Sequence, residues 1–283
     1  MSKFFDQTAK LRNSALGEQS FDVAGLGEVA TVEEQINPEA IDFSDELRGI
    51  EPNAKVEILE SKLLPAKFEG SAALKSAAES YLALRTRLMR LHSTRALRSV
   101  VVTSSIPGEG KTLTSFNLAL CCSQLPDFRV LLIDGDIRTA GLSKSLGFSS
   151  LPGLADALSG KCSPESAVLE TNRSNLFVCA AGSAAEPPAE LYAGHRWQEF
   201  IRWCTESFSL VLVDSPPIIA LADVELMMAA CDGALWVVRA RHTHRDVLQK
   251  AASQMDTKKV VGIVYNNSET TQNNYYSATT KEE

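Results

Sequence analysis

The sequence SSIPGEGKT, residues 104–112, gives the strongest indication of the fold. It follows a short apolar run that predicts a buried strand, and it precedes a pattern typical of a helix over residues 112–125. Gly108 and Gly110 allow the backbone to approach a phosphate closely, because neither residue carries a side chain. The N–H groups of the turn and of the helix start then point at the anion. The stretch therefore predicts a phosphate-binding loop, although Ser105 stands where the usual pattern begins with Gly.

Two side chains of this loop have expected roles with a nucleotide. Lys111 supplies a positive charge to the β- and γ-phosphates, and the Thr112 hydroxyl is placed to ligate Mg²⁺. The alternative interpretation is a glycine-rich turn that contains Lys-Thr by chance and binds no phosphate. Two acidic motifs further along the chain argue against that interpretation.

Both acidic motifs lie at the ends of expected strands. LLIDGDIR (131–138) carries Asp134 and Asp136, followed by Arg138, and LVLVDSPP (210–217) carries Asp214. The carboxyl ends of strands form the ligand crevice of a doubly wound sheet, and P-loop NTPases place a Mg²⁺-organising carboxylate there. A single Asp at a strand end is usually a helix cap or a turn residue. Three acids behind a phosphate loop instead predict a nucleotide site with Mg²⁺ as cofactor.

Short apolar strands alternate with helical patterns over most of the chain. This alternation predicts an α/β fold with a doubly wound, mostly parallel sheet and helices on both faces, the P-loop NTPase fold. We expect strands at 98–105, 129–136, 210–217, 233–240 and 259–266, with a further short strand at 56–59. We expect helices at 74–91 and 112–125, and helical patterns lie between most of the strands, for example at 190–207 and 245–255.

Composition divides the chain into three segments. Residues 1–70 form an acidic extension that we expect to be flexible, and residues 18–60 carry twelve Asp or Glu against two basic residues, a balance of −10. Residues 71–268 hold the P-loop domain, and residues 269–283 form a polar tail. The extension is interpreted as a linker or as a docking arm, and both alternatives stay open.

Several function classes are disfavoured. No apolar run approaches the ~18 to 20 residues needed to span a bilayer, and the first residues lack a secretory signal. We therefore expect a cytoplasmic chain that reaches a membrane only through a partner. Nucleic-acid binding is not expected, because no basic patch is interleaved with aromatic residues. The six cysteines form no C-x-x-C pair and are expected to be free buried thiols, and His242 and His244 are expected to lie in a solvated loop.

The motifs SSIPGEGKT, LLIDGDIR and VLVDSPP, in this order and spacing, resemble the Walker A, Walker A′ and Walker B motifs of the bacterial tyrosine kinase (BY-kinase) family. Members of this family are P-loop proteins related to the Min/Par-type ATPases, and they act in capsule and exopolysaccharide export. The resemblance covers about residues 72–276. It implies an ATP-dependent protein-tyrosine autokinase, with ATP as substrate, that regulates polymerisation and export of the polysaccharide. Ile106 stands where Min/Par ATPases carry a signature Lys, which argues against that branch.

The resemblance also implies roles for individual residues. Asp134 would accept the proton of the tyrosine hydroxyl, Asn266 would read the adenine, and the tail residues Tyr275 and Tyr276 would be the phosphoacceptors. The implied catalytic residues are Lys111, Asp134, Asp136 and Asp214, and the implied Mg²⁺ ligands are Thr112, Asp136 and Asp214. The implied ATP-binding residues are Pro107, Gly108, Glu109, Gly110, Lys111, Thr112, Leu113, Arg138 and Asn266.

The expected partners follow from the same resemblance. Some family members are fused to a transmembrane chain-length regulator, and others are separate cytoplasmic proteins that a membrane partner activates; the second layout is implied here. A homo-oligomer is implied too, although the assembly motif E-x-x-R-x-x-R is altered, with Glu79 and Arg85 present but Leu82 between them. Two alternatives stay open: an ATP-driven switch or scaffold for the exporter without kinase activity, and a partition or division ATPase.

Overall fold

The computed structural model describes residues 55–56, 72–183, 185–220 and 223–267. Most of the acidic extension, the tail and both of its tyrosines, Tyr275 and Tyr276, lie outside the described residues. The described part of the chain alternates strands and helices as the sequence predicts. Its strands are β1 (Lys55–Val56), β2 (Ser99–Ser104), β3 (Val130–Asp134), β4 (Val168–Thr171), β5 (Leu176–Cys179), β6 (Leu210–Asp214), β7 (Gly233–Arg239) and β8 (Val260–Asn266). Its helices are α1 (Ala72–Arg95), α2 (Lys111–Ser123), α3 (Gly141–Leu146), α4 (Leu154–Leu158), α5 (Pro164–Ala167), α6 (Pro188–Ala193), α7 (His195–Ser207), α8 (Asp223–Ala230) and α9 (Arg245–Ser253), with 3-10 turns at Ile218–Ala220 and Thr257–Lys259.

All eight described strands join one sheet, in the order β1-β4-β5-β3-β6-β2-β7-β8. Every neighbouring pair is parallel except β4 and β5, which run antiparallel. The prediction of a doubly wound, mostly parallel sheet is therefore confirmed. Strand β2 lies between β6 and β7, so the loop that follows β2 emerges beside the carboxyl end of β6.

The strands are apolar on both sides because helices cover both faces of the sheet. Successive residues of β2 point to opposite faces: Val101 joins one buried cluster, whereas Val100 and Val102 join the other. Helices α4, α7, α8 and α9 pack on the Val101 face, and α1, α2 and α3 pack on the opposite face. Continuous apolar strands are the pattern that such a three-layer arrangement requires.

Three details differ from the sequence-based predictions. The helix expected at 190–207 is two helices, because the chain takes an extended conformation at Gly194 (φ −73°, ψ 157°) between α6 and α7. Strands β4 and β5 were not predicted. The strand expected at 56–59 pairs at Lys55–Val56, and residues 57–59 lie outside the described ranges.

The expectations for cysteine and histidine are largely confirmed. All six cysteines are free, and five are buried, whereas Cys162 is partly exposed. His242 and His244 are exposed.

Candidate active site

The loop between β2 and α2 has the backbone that phosphate binding requires. Gly108 and Gly110 adopt left-handed conformations, with φ of +83° and +93°. An L-residue adopts such angles only with strain, so both positions favour glycine. At Gly110 a β-carbon would also overlap the side-chain amide of Asn266.

Ser105, which replaces the usual first glycine, anchors the start of the loop. Its side chain is buried, and its Oγ accepts a hydrogen bond from Trp236 Nε1 of β7 at 3.1 Å. Its carbonyl accepts a hydrogen bond from the Ile219 amide at 3.2 Å. The serine therefore ties the loop to β7 and to the segment that follows β6.

Glu109 lies in the loop with its carboxylate turned away from the phosphate position. The residue is fully buried, and its Oε2 accepts a hydrogen bond from the Ile106 amide at 2.9 Å. Its Oε1 accepts hydrogen bonds from the Arg239 amide at 3.3 Å and from the Thr243 hydroxyl. Among the ATP-binding residues expected from the sequence, Glu109 can therefore offer a nucleotide only its backbone.

The sequence does contain a signal for this inward orientation. A carboxylate facing the phosphates would repel them, so an acidic residue between two loop glycines must turn aside. The partners that hold it, Arg239 and Thr243, come from the end of β7 and the following loop, and sequence reasoning missed both.

The three acidic residues expected at strand ends converge beside the loop. Asp134 and Asp214 are paired across neighbouring strands β3 and β6, and Asp136 donates its backbone N–H to Asp134 Oδ1 at 3.2 Å. Lys111 Nζ lies 3.9 Å from Asp136 Oδ2. The structure therefore brings together all four residues that the sequence predicted as catalytic.

Burial dominates the electrostatics of these carboxyl groups. The pKa of Asp214 is raised to about 7; burial is the main cause and the nearby Asp134 adds to it, while Lys111 and hydrogen bonds from Thr112 and Ser115 act in the opposite direction. Burial also raises the pKa of Asp134, against the hydrogen bonds that it accepts from Ser143. A site that holds several desolvated carboxyl groups gains when a cation compensates their charge.

The donor set fits Mg²⁺ as a P-loop protein binds it. Among the described residues, no three or more His, Cys, Asp or Glu side chains form a complete metal cage. A P-loop site does not need one, because Mg²⁺ takes one or two protein ligands and completes its shell with phosphate oxygens and water. The Thr112 hydroxyl and the carboxylates of Asp136 and Asp214, all at one edge of the sheet, match that chemistry.

The remaining expected ATP contacts lie around the loop. Pro107 is exposed, and Leu113, the residue after Thr112, is 39% exposed. Asn266 donates from Nδ2 to the Glu109 carbonyl at 2.9 Å, so its side chain borders the loop. Arg138 instead pairs with Asp223 at the start of α8, at 3.2 Å from Nε and 3.5 Å from Nη2.

Fold and site together define a P-loop nucleotide-binding protein. No family model matches the chain. It is 31% identical to the tyrosine-protein kinase YwqD of Bacillus subtilis over 200 residues, which cover 70% of this chain and 84% of that protein. It is 32% identical to the tyrosine-protein kinase CpsD of Streptococcus pneumoniae serotype 4 over 207 residues, covering 71% of this chain and 89% of the relative. The kinase domain of the Escherichia coli tyrosine kinase ETK superposes with a TM-score of 0.62 at 27% identity, covering 69% of this chain and 78% of that domain.

The chain belongs to the bacterial tyrosine kinase family. The resemblance carried by the three motifs is thereby confirmed.

Proposed function

We propose that this protein is an ATP-dependent tyrosine autokinase that transfers the γ-phosphate of ATP to its own tail residues Tyr275 and Tyr276. The observation that carries the proposal is the convergence of Lys111, Asp134, Asp136 and Asp214 beside a phosphate-binding loop. The kinase names of its relatives support the same reaction class.

The chemistry needs positioning and charge neutralisation more than covalent participation by the protein. The loop amides and Lys111 hold the β- and γ-phosphates. Asp134 takes the proton of the tyrosine hydroxyl while the phenolic oxygen bonds to the γ-phosphorus, and the bond to the β–γ bridging oxygen breaks to release ADP. Thr112, Asp136 and Asp214 would hold Mg²⁺, which neutralises charge on the phosphates when bound.

We infer a cellular role in regulating capsule or exopolysaccharide polymerisation and export. Membership of the family supports this role. In the proposed role, a membrane-bound chain-length regulator activates the protein and recruits it to the inner face of the cytoplasmic membrane, and the protein forms a homo-oligomer. No helix in the described ranges is long and apolar enough to span a bilayer.

The assembly motif in α1 is altered, because Leu82 lies between Glu79 and Arg85. Arg85 donates from Nη1 to the Cys121 carbonyl at 2.8 Å, so this arginine packs within its own chain.

The test is incubation of the full chain with Mg²⁺ and ATP, with and without the membrane partner, followed by mass spectrometry of the tail. We expect phosphotyrosine at residues 275 and 276, and none with Lys111→Met. A signal that survives Tyr275→Phe combined with Tyr276→Phe would remove the tail assignment. ATP binding without phosphotyrosine under either condition would instead favour an ATP-driven switch.

A further inference from the structure

We propose that Ser143 is a positioning residue that determines which oxygen of Asp134 takes the tyrosine proton. Ser143 occupies Oδ2 of the carboxylate and leaves Oδ1 for the reacting hydroxyl. The inference rests on the proposed kinase function, in which Asp134 is the base.

Ser143 makes two short hydrogen bonds to one carboxylate oxygen. Its backbone N–H donates to Asp134 Oδ2 at 2.8 Å, and its hydroxyl donates to the same oxygen at 2.7 Å. Asp134 is fully buried, and Ser143 is only 2% exposed. Two donors within about 3 Å saturate an oxygen at a buried site, so Oδ2 has little capacity for a third partner.

The direction of the Ser143 hydroxyl is itself fixed. Its Oγ accepts a hydrogen bond from the Ala181 amide at 2.9 Å, so its proton is directed at Asp134. Ala181 is held in turn, because its carbonyl accepts from the Ala155 amide at 2.9 Å and the preceding Ala180 carbonyl accepts from the Leu154 amide at 2.8 Å. The segment after β5 and the start of α4 therefore orient Ser143, and Ser143 orients the carboxylate.

The other oxygen has a different environment. Asp134 Oδ1 accepts one longer hydrogen bond in the described structure, from the Asp136 amide at 3.2 Å. Asp136 is also the residue whose carboxylate lies 3.9 Å from Lys111 Nζ, so Oδ1 faces the turn that borders the phosphate site. A general base must come within hydrogen-bond reach of the proton that it abstracts, and Oδ1 is the oxygen with that opportunity.

The test separates positioning from folding and from nucleotide binding. Ser143→Ala removes the hydroxyl bond, and we expect the single-turnover rate of tail phosphorylation at saturating ATP to fall about 10- to 100-fold. The dissociation constant for ATP should stay within about twofold, because the hydroxyl of Ser143 bonds to Asp134 and Ala181 in the described structure, and neither residue belongs to the phosphate loop. Ser143→Thr keeps a hydroxyl and should recover most of the rate. Ser145→Ala, two residues on in α3, removes an exposed hydroxyl that bonds only to the Gly141 carbonyl in the described structure, and should leave the rate unchanged.

Three results would overturn the inference. The first is a wild-type transfer rate in Ser143→Ala. The second is a loss of ATP affinity in Ser143→Ala that is as large as its loss of transfer rate. The third is a failure of Ser143→Thr to recover the rate. If Ser143→Ala does not fold, Ser143→Cys, with a weaker donor of similar size, should show a reduced rate at unchanged ATP affinity, and an unchanged rate would overturn the inference. Absence of phosphotyrosine in the wild type overturns the proposed function itself, and with it the assignment of a base, so the two failures are distinct.

Discussion

The side-chain amide of Asn266 occupies the space that a β-carbon on Gly110 would need, and from there it donates to the Glu109 carbonyl at 2.9 Å. The last residue of β8 is therefore in contact with the phosphate loop. The Arg239 guanidinium at the end of β7 makes a related contact, from Nη1 to the Gly108 carbonyl at 3.3 Å. The carboxyl ends of two adjacent strands thus hold the loop from one side.

The two loop glycines offer a matched pair of substitutions. Both have positive φ, but a β-carbon at Gly108 would meet nothing within 4 Å, whereas one at Gly110 would overlap Asn266. Gly108→Ala should therefore weaken ATP binding only through backbone strain, about 1 kcal/mol or roughly fivefold. Gly110→Ala should weaken it at least tenfold, because strain and overlap add. Titration with a fluorescent ATP analogue measures both, and the double variant Gly110→Ala with Asn266→Ala should regain part of the loss. Equal effects at the two glycines would contradict the role given to Asn266.

A second prediction concerns the buried carboxylate of Glu109. Thr243→Val keeps the side-chain shape but removes the hydroxyl that donates to Glu109 Oε1, which leaves that oxygen with the Arg239 amide as its remaining described donor. We expect ATP affinity to fall about tenfold, which corresponds to ~1.5 kcal/mol, the lower end of the range for a hydrogen bond to a charged group. Thr243→Ser should bind ATP like the wild type. His242→Ala is the control, because its side chain is exposed one residue away. A loss in Thr243→Ser as large as in Thr243→Val would show that packing, and not the hydroxyl, matters there.

The ion pair between Arg138 and Asp223 should respond asymmetrically to mutation. The Asp223 side chain is 3% exposed, whereas the Arg138 side chain is 41% exposed. Arg138→Met leaves a buried carboxylate without this partner, so we expect it to lower the free energy of unfolding by about 1–3 kcal/mol. Asp223→Asn leaves an arginine that water can solvate, and it should cost less. Urea unfolding of both single variants and of the double variant gives the coupling energy, and a larger loss in Asp223→Asn would contradict this account.

The sequence predicted the acidic site residues that lie at the ends of apolar strands. Apolar runs that end in Asp134 and Asp214 predict neighbouring carboxylates, because parallel strands end at the same edge of a sheet, and the structure pairs the two across β3 and β6. The loop glycines were predicted on equally local grounds, since their backbone requirement is set within a few residues. The adjacency of β3 and β6, which brings the two carboxyl groups together, was not predicted, because it depends on the strand order of the sheet.

The features that sequence reasoning missed depend on contacts between distant segments. Thr243 approaches Glu109 across 134 positions of the chain, and no periodicity connects them. Sequence reasoning missed Ser143 because nothing in the six-residue helix α3 distinguishes it from the second serine, Ser145. Strands β4 and β5 are only four residues long, the lower limit of the length over which alternation is informative, and all four residues of β5 are apolar and buried, so they do not alternate.

The last prediction tests whether one copy of the chain phosphorylates another. About seven residues separate Ser268 from Tyr275, and an extended chain of that length spans at most roughly 25 Å, enough for the site of a neighbouring copy when copies pack side by side. Lys111→Met has tail tyrosines but no competent site, and Tyr275→Phe with Tyr276→Phe has a competent site but no tail tyrosines. Mixing the two with Mg²⁺ and ATP should place phosphotyrosine on the Lys111→Met chain, with an initial rate that rises with the concentration of the other variant. Each variant incubated alone is the control and should give none. If the mixture also gives none while the wild type is active, transfer occurs within a single chain, which would require the tail to fold back onto the loop that Asn266 already contacts.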